Sequence, residues 1–387
     1  MKSKWLLAEI VVGLALSYFI VTTYFSGDRK FEDLALGTET VTYNAVDEKG
    51  KSIHIQRSNE EESASLLDAW MERGSKPVIL FLGNSQTHSI NQQKEGEVNF
   101  IEILYKNRAN KQDDIVCISL PNAGLQEFYL TYKYWNKLLP IKAVVVPVFM
   151  DDLREDGIRD LFFTELITTK FQLSDTVDYI SQKINKELRL NWTHQPTSKQ
   201  LVGESDKHNL PETLQEKSET YLNNQLESRS KAWVNRPNVR GEFFNGLYKL
   251  RNTVFGIKAS TIRKMIPQRY KLNMHALELL TDDCVVKGKK VILYIPPIRS
   301  DVVLPYNENE YQQFKIEVEK LASKNPQSVY FKNYETILPG KLWGYKAATS
   351  LNSEKEIDYM HFQFKGHQIL ADSLHVILNQ AIYPHGI

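Results

Sequence analysis

The sequence predicts an α/β protein built on a doubly wound, mostly parallel β-sheet. Five apolar runs of strand length recur along the chain, and segments with helical periodicity lie between them. Val, Ile and Leu fill both faces of these runs, which is typical of parallel strands covered by helices on either side. The five runs are Val78 to Leu82, Ile115 to Leu120, Ala143 to Val148, Val291 to Ile295, and Val329 to Phe331.

Composition excludes several classes of protein. The chain has 387 residues, of which 42% are hydrophobic and 25% charged, as in folded globular proteins. Lys and Arg total 48 against 47 Asp and Glu, so there is no basic excess to attract nucleic acid, and no nucleic-acid partner is expected. Cys117 and Cys284 are too few for a disulfide scaffold. Each lies in or beside an apolar segment, so we expect two buried free thiols.

Residues 1–30 are predicted to be a membrane anchor. The apolar run from Trp5 to Phe25 is close to the ~20 residues that a helix needs to cross a bilayer. Lys2 and Lys4 precede it, which favours a cytoplasmic N-terminus and an extracytoplasmic main domain. A cleavable signal peptide is the alternative, but its apolar region would be shorter and would end in small residues. The sequence therefore predicts a single-pass protein of the cell membrane.

Two further regions flank or interrupt the sheet domain. Residues 31–75 are interpreted as a linker with a short hairpin, because ETVTYNAV and SIHIQR alternate around DEKG. Residues 76–387 form the predicted α/β domain, with a polar, helical insertion at about residues 161–273. An insertion at the carboxyl end of a strand would overhang the ligand site of an open α/β sheet, as a lid or a docking surface. A solvated appendage is the alternative.

Ser85 is the predicted nucleophile. In the segment PVILFLGNSQTHSI, a strand ends at Leu82 and Gly83 permits a tight turn. This turn would deliver Ser85 to the carboxyl edge of the sheet, where a following helix can aim its amide N–H groups at the serine. A hydroxyl and a backbone donor would then lie together.

Asp358 and His361 are the predicted partners of Ser85. They lie in DYMHFQFKGHQILADSLHVILNQA, just ahead of an apolar-periodic final helix. This spacing can place a carboxylate beside the Nδ1–H of the imidazole while Nε2 faces a serine hydroxyl. The carboxylate would fix the tautomer and stabilise the imidazolium during proton transfer, so the sequence predicts a Ser-His-Asp triad.

These segments resemble the motif blocks of the SGNH/GDSL hydrolase family. Gly83-Asn84-Ser85 is similar to the G-D-S of that family, with Asn84 replacing Asp, and Asp358 to His361 is similar to its D-x-x-H. SLPNAGLQEFYLTYKYW resembles the block that supplies a backbone oxyanion donor. The resemblance implies a flavodoxin-like SGNH fold with no cofactor, and an oxyanion hole built from Ser85 together with Asn122 or Gly124.

One block departs from the family pattern. The family has G-x-N-D after the third strand, with its Asn as an oxyanion donor, but Asp151 stands at that position in VFMDDLRED. A carboxylate cannot donate unless it is protonated. Asn84 and Asp151 are candidate substrate contacts, and so is Arg299 in YIPPIRS, which could pair with an anionic group or lie exposed at the rim. No cluster of ligand spacing accompanies Asp151, so no metal is predicted.

The predicted function is a membrane-anchored serine esterase or O-acyltransferase. The resemblance and the anchor together imply acyl esters, above all acetyl esters, of cell-envelope polysaccharide as substrate, and a multi-pass membrane acyltransferase as a partner. One alternative is a non-catalytic envelope protein that binds glycan or a membrane acyltransferase, which Asp151 favours. Another is a lysophospholipase or thioesterase, which predicts an apolar groove beneath the insertion.

Overall fold

A computed structural model describes most of the α/β domain. The described residues are 53–57, 62–94, 96–108, 112–119, 122–158, 171–174, 177–192, 246–351 and 355–384, with positions 13, 18, 40–42, 166, 169, 225, 226, 229 and 230. The predicted anchor and the middle of the predicted insertion lie outside this part of the chain. Among the described residues, no helix combines the length and apolar character that crossing a membrane requires.

The strands form one large sheet and two small ones. They are β1 (Thr40–Thr42), β2 (Gln56–Arg57), β3 (Val78–Gly83), β4 (Ser89–Asn91), β5 (Asp114–Ser119), β6 (Ile141–Pro147), β7 (Lys290–Ile295), β8 (Val329–Asn333), β9 (Trp343–Ala347) and β10 (Lys355–Phe362). Six parallel strands make up the large sheet in the order β2-β5-β3-β6-β7-β8. The five strands that the sequence predicted are β3, β5, β6, β7 and β8, so the predicted parallel α/β class is confirmed.

The strand order creates a switch point beside β3. From β3 the chain winds outward to β5 on one side, and then returns to the other side for β6, β7 and β8. Loops that leave the carboxyl ends of β3 and β6 therefore diverge and leave a crevice. Open α/β sheets bind their ligands at such a crevice.

Helices cover both faces of the sheet. They are α1 (Glu62–Glu72), α2 (Ser85–His88), α3 (Phe100–Asn107), α4 (Leu125–Leu138), α5 (Tyr179–Trp192), α6 (Pro267–Val286), α7 (Glu308–Ser323) and α8 (Phe364–Ile382). Leu80 of β3 belongs to the buried apolar cluster that includes α4, α6 and α7, whereas Phe81 belongs to the cluster that includes α3 and α8. Alternate residues of one strand thus enter two cores. Cys117 and Cys284 are buried free cysteines, as the sequence predicted.

The described parts of the hairpin predicted before the domain pair with other strands, and its turn, DEKG, lies outside the described residues. β1 pairs antiparallel with β4, whereas β2 pairs parallel with the outer side of β5. Ile55, just before β2, is fully buried. Sequence alternation identifies a strand but not its partner, and the open edge of β5 offers β2 a row of unpaired backbone groups.

The chain divides into two compact units. The main unit comprises residues 39–195, 259–345 and 357–387 and carries the large sheet. It includes α5 and the start of α6, which the sequence assigned to the insertion; Ile180, Ile184 and Leu188 of α5 are fully buried at helical spacing. In the second unit, residues 246–254 are helical, and Asn252 Nδ2 donates to the carbonyl of Thr349 at 2.8 Å.

Candidate active site

The turn between β3 and α2 presents Ser85 at the carboxyl edge of the sheet. Asn84 is the N-cap of α2, and its side-chain Oδ1 accepts a hydrogen bond from the Gln86 N–H at 3.1 Å. Ser85 is the first residue of α2, so its N–H has no hydrogen-bond partner within the helix. That N–H remains a candidate donor to an oxyanion.

Gln86 connects this turn by hydrogen bonds to two other segments of the chain. Its Nε2 donates to the carbonyl of Pro297 at 2.9 Å and to that of Met360 at 2.6 Å. Met360 lies inside the D-x-x-H segment. The side chain of Gln86 is buried, so it fixes α2 against the segment that carries His361.

Close packing at Gly83 sets the path of the turn. A Cβ atom at this position would lie 2.0 Å from Thr87 Oγ1 and 2.5 Å from Thr87 Cβ. Thr87 is itself buried. Only glycine allows α2 to approach the end of β3 so closely.

Ser85, His361 and Asp358 lie in one hydrogen-bonded row, although Ser85 and His361 are 276 residues apart. His361 Nε2 is 2.9 Å from Ser85 Oγ, and His361 Nδ1 is 3.0 Å from Asp358 Oδ2. Because a carboxylate can only accept, the proton of a neutral His361 is assigned to Nδ1, and Nε2 is free to accept from the serine. The row is arranged for proton transfer from Ser85 to His361.

The carboxylate of Asp358 is surrounded by donors. Its Oδ1 accepts from the N–H groups of Met360 at 2.9 Å and His361 at 3.0 Å, and its Oδ2 accepts from Asn91 Nδ2 at 3.0 Å. Asp358 is 1% exposed. Burial by itself would raise the pKa of Asp358, but the charge of His361 and the hydrogen bonds lower this pKa to about 2. Asp358 is therefore ionised at neutral pH.

The three expected oxyanion donors differ in availability. The N–H of Gly124 donates to Glu127 Oε2 at 2.9 Å, which commits it to capping α4. Asn122 is exposed and adopts a left-handed φ of 55°, a conformation that Asn tolerates better than most residues. Ser85 N–H is therefore the best placed of the three, and the roles of all three stay predictions.

The carboxylate of Asp151 contacts two residues that lie far from it in the sequence. Its Oδ2 accepts from Arg263 Nη1 and from the hydroxyl of Tyr306, the latter at 3.1 Å. The Arg154 guanidinium lies 3.5 Å from Oδ1. Arg263 balances the charge of Asp151, and no sequence motif had indicated this arginine.

Asp152, not Asp151, lies beside the nucleophile turn. Its two carboxyl oxygens are 3.3 and 3.4 Å from Asn84 Nδ2. Burial, and then the negative charge of Asp151, raise the pKa of Asp152 well above its ordinary value. Burial thus favours the neutral form of Asp152. No group of three or more metal-ligating side chains occurs among the described residues.

The Arg299 guanidinium makes its contacts inside the protein, and the side chain is not exposed at the rim of the site. It is 8% exposed, and its Nη1 donates to the carbonyl of Gly344 at 2.8 Å. Nε and Nη2 pair with the carboxylate of Asp301 at 3.1 and 3.3 Å. These contacts join the segment after β7 to Gly344 of β9, and the role of Arg299 as a substrate contact stays a prediction.

We expect Gly83→Ala to displace Ser85 and to lower kcat/KM for a chromogenic acetyl ester by about 100-fold, because misplacement by ~1 Å costs roughly that much. The double variant Gly83→Ala/Thr87→Gly should recover much of the loss, since the three atoms nearest to the added Cβ all belong to the Thr87 side chain. Gly246→Ala is the matched control, because a Cβ there meets nothing within 4 Å. Full activity of Gly83→Ala would show that the turn does not position Ser85.

Asp358→Asn should remove a pH-dependent part of the stability. A carboxyl whose pKa is lowered to about 2 on folding contributes stability above its unfolded pKa and loses it as the pH falls through about 2. The contribution is about 2 kcal/mol. Urea unfolding of wild type and variant across this acid range should therefore give curves that converge toward about pH 2. Parallel curves would contradict the assigned ionisation. We also expect kcat to fall by roughly 10³–10⁴-fold.

Comparison with known proteins gives similarity to solved structures only: no family model and no curated protein matches the chain. A GDSL-like lipase from Bacteroides thetaiotaomicron is 12% identical with a TM-score of 0.37, covering 83% of this chain and 98% of that chain. An acetylxylan esterase from Geobacillus stearothermophilus, solved as a catalytic mutant, is 9% identical with a TM-score of 0.34, covering 78% and 93%. A carbohydrate esterase family 2 enzyme from Myceliophthora fergusii is 11% identical with a TM-score of 0.36, covering 79% and 67%.

Proposed function

We propose that this protein is a serine esterase or O-acyltransferase that forms an acyl-enzyme on Ser85. The observation that carries the proposal is the row in which Ser85 Oγ lies 2.9 Å from His361 Nε2 while His361 Nδ1 contacts Asp358. A hydroxyl, a base and an orienting carboxylate in this order are the parts that nucleophilic acyl transfer needs. The switch-point crevice beside β3 is where an ester would reach them.

The reaction would proceed in two halves. In the first, Ser85 Oγ attacks the ester carbonyl carbon while His361 Nε2 takes the hydroxyl proton, and the tetrahedral intermediate then expels the alcohol, which receives that proton from His361. In the second, water or an acceptor hydroxyl attacks the acyl-serine and His361 takes its proton. The attacking oxygen forms the new bond to the acyl carbon, the bond from that carbon to Ser85 Oγ breaks, and His361 returns the proton to Ser85 Oγ. Asp358 stays ionised and stabilises the imidazolium.

Backbone and neutral groups would receive the negative oxygen of the intermediate. Ser85 N–H is the candidate donor at the turn, and preorganised donors of this kind are each worth about 10²–10³ in rate. Asp152 is the carboxyl beside Asn84, and burial raises its pKa, which favours its neutral form. In that form it adds no negative charge next to the developing oxyanion.

We further propose that the substrate is an acylated, above all acetylated, polysaccharide of the cell envelope. The apolar run from Trp5 to Phe25, preceded by Lys2 and Lys4, supports a single membrane anchor with the α/β domain outside the cytoplasm. A protein held at that surface would meet envelope glycan on one side and a multi-pass acyltransferase within the membrane. Removal of acyl groups and transfer to a glycan hydroxyl differ only in which acceptor attacks the acyl-serine.

Ser85→Ala should abolish turnover of p-nitrophenyl acetate and labelling by a fluorophosphonate, because both require the Ser85 hydroxyl. The far-ultraviolet circular dichroism and the melting temperature should stay close to those of wild type, since the change removes one oxygen atom. Unchanged turnover in Ser85→Ala would refute the proposal. Comparing acetyl with lauroyl esters tests the substrate class, because a lysophospholipase or thioesterase would prefer the long chain.

A non-catalytic glycan-binding protein is the second candidate. It is favoured by the oxyanion site, where Gly124 N–H is committed to Glu127 and a carboxyl residue, Asp151, replaces the amide of the family pattern. In that case wild type would not label with the fluorophosphonate above the background given by Ser85→Ala. It would still bind acetylated glycan, which isothermal titration would detect.

A further inference from the structure

Asn91 contacts the buried carboxylate of Asp358, although it belongs to none of the sequence motif blocks described above. It ends β4, the short strand that follows the nucleophile helix α2. Its side chain is fully buried, and Nδ2 donates to Asp358 Oδ2 at 3.0 Å. This oxygen lies 3.0 Å from His361 Nδ1, closer than the other oxygen, Oδ1, which lies 3.2 Å from the same nitrogen. One carboxylate oxygen is thus held between the imidazole and the Asn91 amide.

The orientation of the Asn91 amide follows from the charge of Asp358. An ionised carboxylate can only accept hydrogen bonds, and the pKa of Asp358 is lowered to about 2. The opposite orientation would place the Asn91 carbonyl oxygen against a negative oxygen. The NH₂ group must therefore face Asp358.

Asn91 is a poor choice for stability alone. Its Oδ1 is buried and has no hydrogen-bond partner among the described residues. Such an unsatisfied acceptor is expensive to bury, whereas an apolar side chain of similar size carries no such penalty. Gly344 packs against the same amide, because a Cβ there would lie 2.5 Å from Asn91 Oδ1.

Two features hold Asn91 in place. Its backbone pairs with Thr40 in the antiparallel pairing of β1 and β4. Its side chain faces Gly344, whose carbonyl oxygen accepts from Arg299. The amide therefore approaches Asp358 from a supported strand, and the buried guanidinium of Arg299 fixes the loop behind it.

We infer that Asn91 is a positioning residue for the proposed acyl transfer, which it serves by fixing the side-chain rotation of Asp358 so that Oδ2 faces His361 Nδ1. The inference rests on the proposed function. Backbone N–H groups hold the other oxygen, Oδ1, and Asn91 supplies the matching donor for Oδ2. Without this donor the carboxylate can turn, and the imidazole loses the partner that aligns it with Ser85.

The test replaces Asn91 with Leu and compares activity with stability. Asn91→Leu should lower kcat for p-nitrophenyl acetate, and the rate of fluorophosphonate labelling at Ser85, by about tenfold or more, because both depend on the alignment of His361. KM should stay within about twofold, since the fully buried side chain of Asn91 offers no surface to a substrate. The melting temperature should stay close to that of wild type or fall slightly, because the buried carboxylate of Asp358 loses one donor while an unsatisfied buried acceptor is removed as well. Asn91→Ala serves as a second variant if Leu does not fit.

Asn99→Ala is the matched control. Asn99 is also a buried asparagine, but its Oδ1 caps α3 by accepting from the N–H groups of Ile101 and Glu102 at 3.0 and 3.2 Å. Loss of this cap should lower the melting temperature and leave kcat and the labelling rate unchanged. The Asn91 variants should therefore lose activity with little loss of stability, whereas Asn99→Ala should lose stability with no loss of activity.

The outcomes separate this inference from the proposed function. If wild type labels and turns over ester, Ser85→Ala does not, and a folded Asn91 variant keeps both rates within about twofold of wild type, the inference alone is overturned. It is also overturned if an Asn91 variant loses activity only in proportion to lost stability. If wild type neither labels nor turns over ester, the proposed function fails and the inference falls with it.

Discussion

The ionised carboxylate of Asp358 constrains the architecture around it more than any other group of the site. A charge that is 1% exposed is costly unless donors surround it, and the donors come from separate parts of the chain. Two are backbone N–H groups of β10 itself, one is the imidazole of His361, and one is the amide of Asn91. The end of β4 and the middle of β10 must therefore meet within hydrogen-bond distance. Since Gln86 also binds the Met360 carbonyl, the turn that carries Ser85 is drawn to the same place.

The order of the strands explains why this place can be a reactive site. β3 lies inside the sheet, flanked by β5 and β6, and its following loop opens at the point where the winding direction changes. Gly83 permits the chain to turn there with α2 packed tightly on the strand end. Packing of both sheet faces by helices leaves the carboxyl edge as the surface where polar side chains can converge. The packed core thus keeps the sheet rigid, and the segments at its carboxyl edge carry the polar side chains of the site.

Local sequence pattern was enough to predict five strands of the large sheet and the principal side chains of the site. It did not predict which residues far apart in the sequence contact one another. The runs that became β3, β5, β6, β7 and β8 are apolar on both faces, so each could be recognised without its neighbours. Asp358 and His361 are close in sequence, and parallel strands bring a serine after one strand to the shared edge. Nothing local marks Asn91 or Arg263, whose partners lie far along the chain. Alternation likewise did not reveal that β1 would pair with β4 and β2 with the edge of β5.

The neighbouring carboxyl groups of Asp151 and Asp152 show how a departure from the family pattern can be accommodated. A buried carboxyl beside a second negative charge is costly to ionise. Here Asp151 pairs with Arg263 and Tyr306, while Asp152, which is buried against Asn84, is the one whose pKa is raised. Arg263 therefore balances the charge of Asp151, and the raised pKa favours the protonated form of Asp152. A protonated carboxyl can donate a hydrogen bond, which a carboxylate cannot. In that form the two neighbouring acids place no uncompensated negative charge beside the turn that carries Ser85, so the carboxyl residue at position 151 is compatible with the proposed acyl transfer.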